Sequence, residues 1–392
     1  MTKFDFDTPV DRRNTGSLKW DVAENELPMW VADMDFPTAP AVRSAIEKRA
    51  SHGIFGYSIL PDAWENAYIG WWKSRHGVTF EKGSLIFCTG VIPAISSIVR
   101  KITTPAEKVV VLTPVYNTFF NSILNNGRVV SECPLVYDEK TAAYSIDFAA
   151  LEAALADPQA SLMILCNPHN PIGKIWDMKT LAQIGALCAK HGVTVISDEI
   201  HCDLTEPGKS YVPFASVSEE CRKISITCLA PTKTFNLAGI QTAAVAVSDR
   251  FLRHKVWRAL NTDEVAEPNA FAVDAAIAAF TEGGEWLDAL RSYLAENKAV
   301  AADYIKKNIP MLRAVPSDAT YLMWLECTGK AAGHSDRAAA FIRKNTGLYL
   351  SAGRVYRGDG QNFFRLNIAC PRATLQDGLQ RLKKGLEEYE RQ

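Results

Sequence analysis

The chain has 392 residues, of which 47% are hydrophobic and 22% charged, and its formal net charge is −1. This length favours a globular protein with two subdomains, each large enough to bury an apolar core. A net charge this close to zero gives no electrostatic basis for binding nucleic acid or an anionic membrane surface, and we predict neither partner.

The cysteine content and the N-terminal sequence indicate the cellular compartment of the protein. Nine cysteines form no C-x-x-C pair and lie mostly in apolar contexts, so we expect buried free thiols, no metal site and a reducing environment. The first residues contain no apolar signal-like segment. No run approaches the roughly 18 apolar residues of a membrane span. These features predict a cytoplasmic protein.

The first segment, residues 1–44, is predicted to be an irregular arm that packs with the smaller domain. It contains several prolines and the aromatic residues Trp20, Trp30 and Phe36, with little periodicity. Disordered tails lack such aromatic residues. We therefore expect this arm to be packed against the rest of the protein.

The middle of the chain alternates short apolar runs with stretches of helical periodicity. The runs LIFC, KVVVLT, LMILC, VTVIS, KISITCL and TAAVAV carry apolar residues on both faces, which is typical of buried parallel strands. Leu181, Ile184 and Cys188 recur at helical spacing between two of these runs, and the helix after LIFC is expected to begin at Pro93. This rhythm predicts an α/β fold, in which a large domain over residues 45–283 has a mostly parallel sheet covered by helices.

The last part of the chain has a different pattern. Gly283 and Gly284 are followed by a helical stretch over residues 285–308, then by the strand-like runs TYLMWLE and FFRLNIA with a helix near residues 336–345 between them. Four leucines on one stripe predict a C-terminal helix. We predict a smaller α+β domain over residues 284–392.

Three polar side chains follow consecutive predicted strands: Asn170 in NPHNPIG, Asp198 in VISDEIH and Lys233 in APTKTFNLAG. In open α/β sheets, ligands bind outside the carboxyl ends of the strands. This trio suits pyridoxal 5'-phosphate, because a lysine forms an imine with its aldehyde, a carboxylate keeps the pyridine nitrogen protonated, and an amide binds the ring hydroxyl. The pattern predicts this cofactor and amino-acid chemistry at the α or β carbon.

Each of the three residues also has a plainer interpretation. Most lysines are surface charges, an acid at the position of Asp198 can cap a helix, and an asparagine before proline is common in turns. The apolar flanks of Lys233 and the apolar strand before Asp198 favour the functional interpretation. Glu199 is the competing acid, but the alternation of a strand turns it to the other side.

Further candidates lie in neighbouring loops. The segment Thr89–Pro93, which contains Gly90, joins a strand to a helix whose free N–H groups and dipole can bind a phosphate, and Thr232 offers a hydroxyl to the same group. Tyr116 is predicted to stack on the pyridine ring, although a core or rim aromatic is the alternative. Arg365 interrupts FFRLNIA, where an unpaired charge is expensive. It is a candidate for binding a substrate carboxylate, with a structural salt bridge as the alternative.

Taken together, these residues resemble the class I/II aminotransferase superfamily, the fold-type I pyridoxal-phosphate enzymes, over nearly the whole chain. Within it the sequence is most similar to the C–S β-lyases, the cystathionine β-lyase and cystalysin group. The stretches that carry the resemblance are DRRNTGSLKWD, MWVADMDF, FGYS, GVIPAI, SDEIHCDL and APTKTFNLAGIQ.

The resemblance implies a role for each matching position. Lys233 bonds the cofactor, Asp198 and Tyr116 complete the catalytic set, and Asn170 binds the ring hydroxyl. Val91 and Ile92 offer backbone N–H groups to the phosphate. Tyr57 reaches the phosphate of the neighbouring subunit, which implies a homodimer with shared active sites, and Arg365 holds the substrate carboxylate.

Three positions depart from the usual aminotransferase pattern. His201 stands where those enzymes usually have a tyrosine near the ring hydroxyl, and it is assigned to the cofactor site. Ala230 and Gln241 replace a serine and an arginine that usually bind the phosphate. The lyase-like group shows similar losses, so the departures favour a lyase over a transaminase.

The predicted function is a pyridoxal-phosphate-dependent C–S β-lyase. It is expected to cleave cystathionine or related cysteine thioethers by β-elimination to pyruvate, ammonia and a thiol. An aminotransferase on the same fold is the alternative, and a non-catalytic regulatory protein is less favoured because the three polar residues are intact. No G-x-G-x-x-G follows the first strand, so a dinucleotide site is not favoured.

Overall fold

The computed structural model describes residues 3–392, so the first two residues of the predicted arm lie outside it. Its strands are β1 Leu27–Pro28, β2 Leu85–Cys88, β3 Lys108–Thr113, β4 Val129–Pro134, β5 Val136–Asp138, β6 Ala143–Ser145, β7 Ala160–Cys166, β8 Thr194–Asp198, β9 Ser225–Leu229, β10 Ala243–Ala246, β11 Leu312–Ala314, β12 Leu322–Cys327, β13 Leu348–Tyr349, β14 Ser351–Ala352 and β15 Phe363–Asn367. Its helices are α1 Pro40–His52, α2 Asp62–His76, α3 Val91–Ile102, α4 Thr118–Leu124, α5 Phe148–Leu155, α6 Met178–Lys190, α7 Glu219–Ile224, α8 Arg250–Thr262, α9 Ala272–Glu282, α10 Gly284–Asn308, α11 Ser335–Thr346 and α12 Arg372–Glu390.

The main sheet has seven strands in the order β2-β10-β9-β8-β7-β3-β4. Strand β10 runs antiparallel to both of its neighbours, and the pairings among β9, β8, β7, β3 and β4 are parallel. Strand β2 therefore runs in the same direction as those five. The carboxyl ends of β2, β3, β7, β8 and β9 consequently meet along one edge of the sheet.

Both faces of this sheet are buried under helices. Along β3, Val109 and Val111 enter an apolar cluster that includes residues of α3 and α8, whereas Val110 and Leu112 enter a cluster on the opposite face that includes residues of α5 and α6. All four side chains are at most 1% exposed. Burial on both faces explains why the strand sequences show apolar runs instead of polar alternation.

A smaller antiparallel sheet follows later in the chain, in the order β11-β12-β15-β14. The N-terminal segment lies against it, because the side chain of Asn367 in β15 donates to the carbonyl oxygens of Val31 and Asp33. Strand β1 also pairs with β13 in a separate two-stranded sheet. The predicted α/β fold with a mostly parallel sheet and a smaller C-terminal α+β part is confirmed. The boundaries at residues 44 and 283 stay predictions.

Local details differ from the sequence analysis at two helix starts. Helix α1 begins at Pro40, inside the predicted irregular arm, and α3 begins at Val91, two residues before Pro93. A proline is tolerated there, because the first N–H groups of a helix have no partner within it. All nine cysteines are buried free thiols, as predicted. None of the helices between residues 3 and 392 combines the length and apolar character that a membrane crossing demands.

Candidate active site

The parallel strands bring the predicted site residues to one edge of the main sheet. Asp198 is the last residue of β8, Asn170 follows β7 and Lys233 follows β9. Together with thirteen other residues they line one cavity of about 270 Å³. The predicted residues in this lining are Gly90, Val91, Ile92, Tyr116, Asn170, Asp198, His201, Thr232 and Lys233.

Lys233 is partly buried and lines this cavity. Its Nζ donates to the carbonyl oxygen of Ala32 at 2.5 Å, and the hydroxyl of Tyr321 donates to the same oxygen at 2.9 Å. Loss of solvent around the amine lowers the pKa of Lys233 to about 8, although the nearby Asp33 opposes this shift. An amine with such a pKa is suited to act as a nucleophile and a base near neutral pH.

Asp198 is only 4% exposed, and its Oδ1 accepts a hydrogen bond from the backbone N–H of Ile200 at 3.2 Å. Burial raises the pKa of Asp198 to about 7, and the neighbouring Glu199 adds to this rise, while Lys233 opposes it. A cationic group placed in the cavity would stabilise the ionised form of this carboxyl group. The role of Asp198 toward a protonated ring nitrogen stays a prediction.

Glu199 points away from the cavity, as strand alternation predicts. Its Oε1 accepts hydrogen bonds from Ser197 Oγ at 2.8 Å and from the backbone N–H of Phe214 at 3.0 Å. The structure therefore places Asp198, and not Glu199, in the cavity.

Arg365 lies beside Asn170 at the side of the cavity. Its Nη1 donates to Asn170 Oδ1 at 3.2 Å and its Nη2 to the carbonyl oxygen of Trp30 at 3.0 Å. The guanidinium also lies over the ring of Tyr356, 4.9 Å from its centroid. Within residues 3–392 this buried cation has no carboxylate partner, so the alternative of a structural salt bridge does not describe it.

The remaining candidates also line the cavity. Helix α3 starts at Val91, and the first turn of this helix, whose N–H groups have no partner within it, lines the cavity together with Thr232. Gln241 lines the cavity, whereas Ala230 is buried outside the lining. Burial lowers the pKa of His201 to about 3, with further lowering by Lys233 and Arg365, so its imidazole is neutral.

Arg365 contacts the cavity residue Asn170 without lining the cavity itself, and Tyr57 is a second predicted site residue that is absent from the lining. Its side chain is fully exposed, in a segment that also exposes Ile54, Phe55 and Ile59. A role for Tyr57 requires a second chain, and the assignment stays a prediction.

Several residues of the site were missed by the sequence analysis. Ala32 and Asp33 approach Lys233 from the N-terminal segment, and Tyr321, from the loop before β12, donates to the same Ala32 carbonyl oxygen as the lysine. Cys166 also lines the cavity. The run MWVADMDF offered a weak signal as an aromatic-rich irregular segment, but nothing local in the sequence shows that it returns to the edge of the main sheet.

The sequence pattern that defines aminotransferase class I and II matches residues 24–382. The chain belongs to this family. It is 42% identical to cystathionine beta-lyase PatB of Bacillus subtilis (strain 168), over 97% of this chain and 99% of that protein. It is 33% identical to protein MalY of Escherichia coli (strain K12), over 96% of this chain and 97% of that protein.

A solved structure shows the same architecture. Cystalysin from Treponema denticola, whose structure contains a pyridoxal 5'-phosphate cofactor, superposes on this family member with a TM-score of 0.93. The two are 30% identical, and the match covers 98% of this chain and 99% of that one. The predicted family and fold are therefore confirmed.

Proposed function

We propose that this protein is a pyridoxal-phosphate-dependent C–S β-lyase that cleaves cystathionine or a related cysteine thioether. The observation that carries the proposal is the pair formed by Lys233 and Asp198 in one buried cavity. Burial moves the pKa of each toward neutrality, and shifted pKa values of this kind cluster at functional sites. The names of the B. subtilis relative and of cystalysin support the same chemistry.

The residues of the cavity fit the cofactor. Burial raises the pKa of the Asp198 carboxyl, and a protonated pyridine nitrogen would provide a cationic partner for its ionised form. Asn170 would bind the ring hydroxyl, and the first turn of α3 with Thr232 would bind the phosphate; all of them line the same cavity. When bound, the cofactor supplies an aldehyde that links to amines and a ring that stabilises negative charge at the substrate Cα.

Lys233 then acts as the base. With a pKa of about 8, about a tenth of this amine is neutral at pH 7, which is enough to accept a proton from the Cα of the substrate. Asp198 stabilises the positive charge that faces it, and preorganised charge of this kind is usually the largest catalytic contribution. The C–S bond breaks at Cβ, the sulfur leaves as a thiol, and hydrolysis of the remaining three-carbon unit gives pyruvate and ammonia.

Arg365 orients the substrate. Its guanidinium is buried, is fixed by Asn170 and Trp30, and lacks a carboxylate partner among the described residues. A planar guanidinium binds a carboxylate through two parallel hydrogen bonds. We propose that the α-carboxylate of the amino-acid substrate completes this pair.

An assay without any added keto acid separates the lyase from the aminotransferase. The purified protein with pyridoxal phosphate is expected to release equal amounts of pyruvate and homocysteine from cystathionine, and Lys233→Ala is the control that abolishes both. Turnover that begins only when a keto acid is added would support an aminotransferase in place of the lyase.

We further propose that the protein works as a homodimer in the cytoplasm. The exposed apolar segment around Tyr57 is larger than isolated surface residues explain, and a second chain is the occupant that would bring Tyr57 to the phosphate end of the neighbouring cavity. Nine buried free thiols favour a reducing compartment.

A further inference from the structure

A second cluster of reactive side chains lies behind the lysine turn, outside the cavity described above. His76 ends helix α2, and Cys202 and Asp203 belong to the turn that follows Asp198. One imidazole nitrogen, the thiol sulfur and one carboxylate oxygen all lie within 4.8 Å of one another. We propose that these three side chains form a binding site for a transition metal ion of the Zn²⁺ class, which departs from the sequence prediction of no metal site.

The ligand chemistry selects the class of ion. A thiolate, an imidazole and a carboxylate are the ligands that Zn²⁺ takes in proteins, whereas Mg²⁺ and Ca²⁺ prefer oxygen ligands alone. Zinc bond lengths place neighbouring ligands roughly 3.5 Å apart in a tetrahedral site. The widest separation in the cluster, at most 4.8 Å, therefore has to shrink by about 1.3 Å, and the His76–Asp203 pair at 2.8 Å has to open slightly.

The surrounding groups orient these ligands as a metal site requires. Asp203 Oδ1 accepts from His76 Nε2 at 2.8 Å and from Trp71 Nε1 at 2.9 Å, and its Oδ2 accepts from Thr234 Oγ1 at 2.9 Å. A metal ion would replace the hydrogen bond between His76 and Asp203. The bonds from Trp71 and Thr234 would remain and would hold the carboxylate in place, as outer hydrogen bonds do around metal ligands.

Cys202 binds a metal ion as the thiolate, so an ion that binds displaces the thiol proton to solvent.

A solvent cavity of about 380 Å³ adjoins the cluster and supplies the route of entry and room for a fourth, water ligand. Three cationic side chains line it, but each already has a partner. Arg75 pairs with Asp288 at 2.6 Å, Lys209 pairs with Asp318 at 2.8 Å, and Arg291 donates to the Thr205 carbonyl oxygen at 2.9 Å.

The site would be linked to the lysine turn through Asp203. Its Oδ2 holds the hydroxyl of Thr234, which is the residue after Lys233. The proposal itself does not depend on the lyase activity, because metal binding is measured directly.

Cobalt is the probe for the test, because a thiolate bound to Co²⁺ gives an absorption band in the near ultraviolet. The cofactor-loaded protein, freed of excess cofactor, is expected to bind one Co²⁺ per chain with this band, and Zn²⁺ is expected to displace it and to raise the unfolding temperature. Cys202→Ser should remove the band, and His76→Gln, which keeps a donor for Asp203, should weaken binding by at least roughly 100-fold.

The controls are Cys188→Ser, a buried thiol that contacts Met163, and His254→Gln on the exposed face of α8. Both should bind the metal as the unaltered protein does. A band that survives in Cys202→Ser but disappears in Cys166→Ser would move the thiolate to the cofactor cavity and overturn the proposal. Absence of the band in the unaltered protein would overturn it as well.

Discussion

Lys233 and Asp198 share one buried cavity, and burial moves the pKa of each toward neutrality in opposite directions. The two residues could be predicted from the sequence because each directly follows a strongly apolar strand. Ala32 and Tyr321 could not, since the Ala32 carbonyl oxygen accepts from Lys233, 201 residues away, and from Tyr321, 289 residues away. Such contacts depend on tertiary packing and leave no local pattern.

Replacing Arg365 tests its proposed role toward the substrate. Arg365→Leu is expected to raise KM and to lower kcat/KM by roughly 100-fold or more, because a buried charge-assisted pair with the substrate carboxylate is lost. Cofactor absorbance should change little. Steady-state kinetics with cystathionine measures both constants, and Arg250→Leu on the exposed face of α8 is the matched control. An unchanged KM would assign Arg365 a structural role.

The pKa of Asp198 predicts a pH dependence of stability in the cofactor-free protein. Burial raises this pKa from 3.8 to about 7, so between these values the native state holds a proton that the unfolded chain releases. The contribution of Asp198 to the free energy of unfolding is therefore fully present below pH 4 and is lost as the pH rises through 7.

Asp198→Asn separates stability from cofactor binding. The cofactor-free variant is expected to be more stable than the unaltered protein at pH 8, because no buried carboxyl has to ionise, yet to bind pyridoxal phosphate more weakly. Urea unfolding from pH 4 to pH 8 measures the first effect and a cofactor titration the second. The same pH dependence in both proteins would show that Asp198 is not the group responsible.

At the scale of elements, the parallel strands were predictable and the N-terminal segment was not. Residues in β3, β7, β8 and β9 are apolar on both faces, which is the signature of a sheet covered on both sides. The antiparallel direction of β10 leaves no such pattern in the sequence, because the direction of a strand depends on the path of the segment that connects it to the strand before it. The segment around Ala32 has no periodicity, and side chains distant in sequence hold it in place.

Replacing Asn367 tests how the N-terminal segment around Ala32 supports the site. Its Nδ2 donates to the carbonyl oxygens of Val31 and Asp33 at 2.6 and 2.7 Å. Asn367→Ala should lower the free energy of unfolding by about 1–3 kcal/mol, because two buried carbonyl groups lose a donor. It should also increase hydrogen exchange in residues 29–36.

Chemical denaturation and hydrogen exchange with mass spectrometry are the measurements for this change. The matched control is Asn345→Ala, whose Nδ2 donates to the Phe341 carbonyl oxygen at an exposed position. Equal exchange in residues 29–36 of both variants would mean that Asn367 does not hold the segment.

At the scale of the whole molecule, we propose that a second chain completes the cofactor site. The single chain forms one side of this site with its two sheets and its N-terminal segment. Phe55→Glu combined with Ile59→Glu should convert the dimer into monomers, because both side chains are largely exposed in the single chain and apolar. Pyridoxal-phosphate affinity should fall at the same time. Light scattering after size-exclusion chromatography measures the mass.

Two further variants make the dimer test specific. Tyr57→Phe should remain dimeric but bind the cofactor about tenfold more weakly, since one hydrogen bond to the phosphate is lost. Met178→Glu alters an exposed apolar residue at the start of α6 and should affect neither property. A monomeric unaltered protein with full cofactor affinity would remove Tyr57 from the site.

The central claim is that Lys233 bonds pyridoxal phosphate in the buried cavity. Reduction of the cofactor-loaded protein with borohydride fixes this bond, and peptide mass spectrometry then locates it. We predict one modified lysine per chain, in the peptide that contains Lys233, and none in Lys233→Ala. A modification at another lysine, or a protein that takes up no cofactor, would contradict the account.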